Sequence, residues 1–215
     1  MTQPPTEWKT KPTDRFILKW IKLNLSARIS PRIAARPEIR PWMITAASAS
    51  LGVLGGLFFG LGYALAAGCL AALGQILDGV DGQVARLTGT ASPAGAFLDS
   101  VLDRYADGAM VIGLTVYLYR LPWSTPGWVV LILGSLAVMG SNLVSYSTAR
   151  AETLHLDLGR PTLASKGART AVMVVCAWGG GLFWPPLPAA ALIYLAIHPN
   201  LTALGRVIGA HRRNS

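Results

Sequence analysis

Charge is what this chain has least of. Of its 215 residues only 13% are Asp, Glu, Lys or Arg, against roughly a quarter in a soluble domain. That scarcity argues against a soluble globular protein. Acid is scarcer than base: 10 Asp+Glu stand against 19 Lys+Arg, a net charge of +9. Cysteine is nearly absent. Cys69 and Cys176 both fall in apolar segments, without metal-ligand spacing or a sequence neighbour to pair with, and read as two small buried residues. No motif that reads RNA or DNA accompanies the basic charge, so nucleic acid is not an expected partner. The first residues, MTQPPTEWKTKPTDRF, lack an apolar core and predict no cleaved signal peptide. Internal repeats and low-complexity tracts are also missing.

Apolar sequence fills the space that charge leaves. The chain is 52% hydrophobic and its mean hydropathy is +0.44. Long apolar runs predict an all-α integral membrane protein. Six spans are expected, at 42–60, 62–86, 92–119, 126–149, 166–184 and 187–208. Gly60 and Gly62 mark a tight turn. Ser92 before Pro93, and Ser124-Thr125 before Pro126, are helix starts, a capping hydroxyl followed by proline at the first turn. Pro199 is expected to kink the last span. Ahead of the spans, residues 13–34 place Phe16, Ile17, Trp20, Ile21 and Leu25 on one broad face and Arg15, Lys19 and Lys22 opposite. That is the pattern of an amphipathic helix lying in the membrane interface, interrupted at Pro31 and Pro37. Residues 1–40 are thus a cytoplasmic tail and interfacial helix, and 41–215 a six-span domain.

Basic residues set the orientation. Nine lie in 1–41, four more are Arg150, Arg160, Lys166 and Arg169, and the tail adds Arg206, Arg212 and Arg213. With six spans all of these fall on one side, and the opposite turns carry only Arg120. The positive-inside rule places both termini in the cytoplasm, together with the connection between the second and third spans. The location expected is the cytoplasmic membrane.

The scarce acid is concentrated in LDGVDGQVARLTGTASPAGAFLDSVLD, residues 77–103. On a helix, Asp78, Asp81, Gly82, Ala85 and Arg86 share one side, and Gly95, Asp99, Asp103 and Asp107 repeat every fourth residue. The short connection LTGTASPAG makes the two helices antiparallel neighbours, so the carboxylates can converge. Asp103 lies about 16 Å past Ser92 at about 1.5 Å per residue, roughly halfway across the hydrocarbon. An aspartate there costs roughly 2.5–3.5 kcal/mol, and Arg86 and Arg104 cannot neutralise the whole group. Two divalent cations, Mg²⁺ or Mn²⁺, suit hard carboxylate oxygens and keep company with substrate phosphates. Gly82, Ala85 and Gly95 are small enough for a flat ligand to lie on the backbone. Buried acids also suit a divalent-cation transporter, although such a path does not explain Gly82, Ala85 and Arg86.

The run Asp78, Asp81, Gly82, Ala85, Arg86, Gly95, Asp99, Asp103 resembles the signature D-x2-D-G-x2-A-R-x8-G-x3-D-x3-D of the CDP-alcohol phosphotransferase family, with all eight positions at their spacing. The resemblance implies transfer of a substituted phosphate from a CDP-linked donor to an alcohol, with release of CMP. It implies two metals on Asp78, Asp81, Asp99 and Asp103, with Asp103 as general base. It also implies a CDP site at Asp78, Gly82, Ala85, Arg86 and Gly95, and a homodimer. Asp107, one turn deeper, is expected to hold Arg104 or a water.

The stretch after the fourth span, SYSTARAETLHLDLGRPTLASKGART, is similar to family members that use phosphorylated acceptors such as inositol phosphate. Arg150, Lys166 and Arg169 would grip the acceptor's phosphate. Ser147 stands where a basic residue is expected in that subgroup. The N-terminal run also resembles enzymes that join CDP-inositol to inositol phosphate. Glycerol 3-phosphate is the alternative acceptor.

Overall fold

The structure is a computed structural model that describes residues 9–10, 16–122, 125–158 and 162–214. Every regular element among them is helical. Residues 13–15 of the first predicted helix and Ser124 of the second predicted cap lie outside the described residues.

The N-terminal segment is helical from Phe16, as α1 (Phe16–Ile21), a π-helical turn (Lys22–Ser26) and α2 (Ala27–Ala34). Pro31 is accommodated inside α2. The helix stops before Pro37, because the residue ahead of a proline is pushed out of the helical region. Its inward line differs from the one expected. Lys22, Ser26 and Ser30 are buried against α4, while Ile17, Trp20 and Leu23 are exposed. The reason is local hydrogen bonding. Ser26 Oγ donates to the Ile76 carbonyl at 2.8 Å, and Ser30 Oγ donates to Gln83 Oε1 at 2.6 Å.

Six longer helices follow: α3 (Pro41–Gly60), α4 (Ala64–Leu87), α5 (Pro93–Arg120), α6 (Gly127–Thr153), α7 (Lys166–Leu182) and α8 (Pro188–Asn214). Gly62, at φ +99°, turns the chain between α3 and α4 in a conformation that side chains resist. Ser92 Oγ accepts the Gly95 amide at 3.1 Å and Pro93 opens α5, as the sequence predicts. Pro199 sits inside α8 without ending it. The Asn200 side chain donates to the Ala196 and Leu136 carbonyls, both at 2.8 Å, giving backbone oxygens beside the proline and on α6 a partner.

α3 packs against α4 and α5, α6 against α8, and α7 against α4. The tightest approach joins α3 and α5, where Gly113 lies against the backbone of Gly56 and leaves no room for a Cβ. An apolar core of Phe59, Leu114, Leu118, Leu192 and Leu195 holds one end of the bundle. Ile44, Val80 and Val84 clamp α2 through Ile29 and Ile33. The outside is apolar as well: Leu57, Leu131, Ile132, Val175, Leu201 and Leu204 are all exposed. Cys69 is exposed rather than buried, since an outward face of an apolar helix is as apolar as its core-facing side; both cysteines are free.

Among the described residues, four helices are long and apolar enough to cross a membrane: α3, α4, α6 and α8 as far as Arg212. α5 carries Asp99, Asp103, Arg104 and Asp107 within its first 15 of 28 residues. α7 has 17 residues, and about 20 are needed for a 30 Å core. The described chain is therefore all-helical and of the membrane class; α5 falls short of the other spans through its charge, and α7 through its length.

Candidate active site

α4, α5 and α7 turn their charged ends toward one cavity of about 400 Å³. Asp78, Asp81, Asp99 and Asp103 all line it, as the helical spacing predicts. Each of Asp78, Asp99 and Asp103 offers one carboxylate oxygen, and the three oxygens lie within 4.8 Å of one another. Asp81 is turned aside. Thr45 of α3 donates its hydroxyl to Asp81 Oδ2 at 2.7 Å, and the Gly82 amide donates to Oδ1.

Asp78, Asp103 and Asp107 are held by side-chain donors. Gln75 Nε2 donates to Asp78 Oδ2 at 3.1 Å. Lys166 Nζ bridges two helices, donating to Asp78 Oδ1 at 2.6 Å and Asp103 Oδ1 at 2.5 Å. Asp107 pairs with Arg104 at 3.7 Å, as expected, and also with Arg169 at 2.9 Å. Lys166, with Arg104 at 3.8 Å from Asp103, supplies part of the positive charge that three close carboxylates need. Hard oxygen donors from two rigid helices at this separation fit a divalent cation of the Mg²⁺ or Mn²⁺ kind.

A second cavity of about 160 Å³ adjoins the first and shares Asp81, Gly82, Arg86 and Asp99 with it. Ala85 and Gly95 line this side pocket, with Trp42 and Thr45 of α3. Small residues therefore face each other across α4 and α5, beside the Arg86 guanidinium.

The cationic side of the main cavity departs from the sequence reading in its members. Lys166 and Arg169 line it, whereas Arg150 is exposed near the end of α6 and does not. Arg206 of α8 lines it instead. Its Nη1 donates to the Val144 carbonyl at 2.6 Å, to Ser147 Oγ at 2.7 Å and to Thr148 Oγ1 at 2.9 Å. A cation thus reaches the place where Ser147 lacks one. In sequence Arg206 reads as a topological anchor, and nothing there signals Thr45 or Gln75.

The family model for CDP-alcohol phosphatidyltransferase matches residues 39–204. A bifunctional IPC transferase and DIPP synthase of Aquifex aeolicus is 37% identical over 137 residues, 64% of this chain and 30% of that protein. An archaetidylinositol phosphate synthase of Methanothermobacter thermautotrophicus is 35% identical over 147 residues, 68% of this chain and 70% of its own length. The chain therefore spans under a third of the bifunctional relative. Crystal structures of phosphatidylinositol phosphate synthase from Mycobacterium tuberculosis share the fold. The form with CDP-DAG bound is 26% identical at a TM-score of 0.74, covering 86% of this chain and 92% of that one. The form with manganese and citrate is 25% identical at 0.76, covering 87% and 89%.

The chain belongs to the CDP-alcohol phosphatidyltransferase family.

Proposed function

We propose that the protein transfers a substituted phosphate from a CDP-linked donor to the hydroxyl of a phosphorylated polyol, such as an inositol phosphate, releasing CMP. The observation that carries this reading is the convergence of the motif residues on two adjoining cavities, with three carboxylate oxygens within 4.8 Å. The relative crystallised with CDP-DAG supports a lipid donor. Relatives named for inositol phosphate products support the acceptor over glycerol 3-phosphate. Family membership also leaves no role for the transporter alternative.

In this reading Gly82, Ala85 and Gly95 let the nucleotide lie against helix backbone, and Arg86 faces its diphosphate with a planar fork. Asp78, Asp99 and Asp103, joined by Asp81 of the same motif, would hold two divalent cations, which would withdraw charge from the diphosphate and the departing CMP. Asp103 accepts the proton of the attacking hydroxyl. The new P–O bond forms at the phosphorus bearing the donor's alcohol, and the bond from that phosphorus to the CMP oxygen breaks. Lys166, Arg169 and Arg206 hold the acceptor's phosphate through charge-assisted hydrogen bonds. α5 and α7 complete six spans, α1 and α2 lie at the interface, and the cavity opens to the cytoplasm. The homodimer belongs to the same reading.

The test is CMP release by purified protein in detergent with Mg²⁺. CDP-diacylglycerol and CDP-inositol are crossed with inositol 1-phosphate, glycerol 3-phosphate, free inositol and serine. Release with inositol 1-phosphate alone supports the proposal. Release with an unphosphorylated acceptor removes the phosphate-gripping role of the basic cluster. Silence across the panel overturns the substrate assignment. Asp103→Asn should cut turnover by about 10²-fold or more while the protein still elutes as a folded species.

A further inference from the structure

Lys22 is 7% exposed, in a class of residue almost never fully buried unless paired. It opens the π-helical turn of the N-terminal segment, outside the residues matched by the family model. It lines the 400 Å³ cavity together with Asp78, Gly79 and Gly82.

The placement is built. Lys22, Ser26 and Ser30 are spaced by four, and a straight α-helix drifts about 40° off line at each such step. The wider π turn keeps the three on one inward line, a device common at functional sites. The backbone at this point is gripped from α4: Gln83, fully buried, donates its amide to the Lys22 carbonyl at 3.0 Å. Gly79 is the floor beneath it. A Cβ there would lie 3.0 Å from Lys22 Cγ and run into Ser26 Oγ. A helix that served only as an interfacial anchor would turn its lysine to headgroups, as Lys19 does by remaining exposed.

We infer that Lys22 is a substrate-binding residue of the transferase, a fixed ammonium supplied by the N-terminal segment to a phosphate oxyanion in the main cavity. The inference rests on the transferase reading above. An ammonium is a compact charge with three donors, suited to a phosphate oxygen that several partners share. The oxyanion has two sources, the donor's diphosphate or the acceptor's phosphate. The N-terminal segment is then part of the active site as well as a contact with the membrane.

Steady-state kinetics of the full-length protein separate these roles. Lys22→Gln keeps length and polarity and removes the charge; Lys22→Arg keeps the charge. The result expected is a KM raised about tenfold or more for one substrate by Lys22→Gln, with most of it recovered in Lys22→Arg. A rise confined to the CDP donor assigns the diphosphate, and a rise confined to the acceptor assigns its phosphate. Unchanged KM values for both substrates overturn the proposal, as does a fall in kcat alone with a lower melting temperature, which marks a structural counter-ion. If Lys22→Gln does not fold, Lys22→Met, an apolar side chain of similar length without the charge, decides. It should raise the same KM at unchanged melting temperature, and wild-type KM values for both substrates in that variant overturn the assignment. A wild-type protein that releases no CMP fails the transferase reading, whatever Lys22 does.

Discussion

Arg169 is 2% exposed and held from two directions. One nitrogen donates to the Ala164 carbonyl at 2.6 Å and the other to Asp107 at 2.9 Å. A guanidinium fixed in this way loses little freedom when it meets an anion. Arg169→Ala should therefore raise the acceptor's KM by about 10–100-fold, the range of a charge-assisted hydrogen bond, and leave the donor's KM nearly unchanged. Equal rises for both would sink the assignment. Asp107→Asn should act in the same direction more weakly, through the orientation of Arg169. At this scale the motif aspartates were legible because both helices repeat them at helical spacing. Thr45, Gln75 and Arg206 were not. Thr45 and Arg206 are 36 and 59 residues from the Asp81 and Ser147 they contact, and no periodicity links them. Arg150 illustrates the converse: a plausible position in sequence that the bundle leaves outside the cavity.

Glycine decides how closely α3 and α5 approach, and so where the carboxylates of α5 face α4. At Gly113 the obstacle to a side chain is Gly56 backbone, which no rotamer change relieves. Gly113→Val should destabilise the protein by about 1–3 kcal/mol or more, read as a lower midpoint for heat-induced loss of the monodisperse species in detergent. At Gly205 of α8 a Cβ would meet nothing within 4 Å. Gly205→Ala should hold or raise stability by about 0.5–1 kcal/mol. A Gly113→Val midpoint equal to that of Gly205→Ala would show that the crossing is loose. Helix starts were readable at Ser92-Pro93 because capping is local chemistry. The inward line of α1–α2 was not, since it depends on Ser26 and Ser30 finding partners on α4.

For the molecule as a whole, the arrangement of charge predicts six crossings, whereas among the described residues four helices are long and apolar enough to cross by length and composition. Buried ion pairs explain how α5 and α7 could enter: Lys166 and Arg169 of α7 meet Asp103 and Asp107 of α5. In a background lacking Cys69 and Cys176, single cysteines at Thr90 and Thr162 should react with an impermeant maleimide from the cytoplasmic side. Cysteines at Thr125 and Phe183 should react only from the other. Labelling of Thr90 and Thr125 from one side would remove α5 from the spans, and labelling of Thr162 and Phe183 from one side would remove α7.

The sequence by itself determined the helical class, the membrane and the eight-residue motif, because hydropathy, capping and helical period act over a few residues. Only the tertiary structure decided which cations face the carboxylates. Lys166 and Arg169 of α7, Arg206 of α8 and Lys22 come from three separate stretches of chain, and what brings them together is packing: Gly113 on Gly56, Gly79 beneath Ser26, and Asn200 on the Leu136 carbonyl. Those contacts are long-range. Their partners are chosen by shape and hydrogen-bond satisfaction, which no local pattern records.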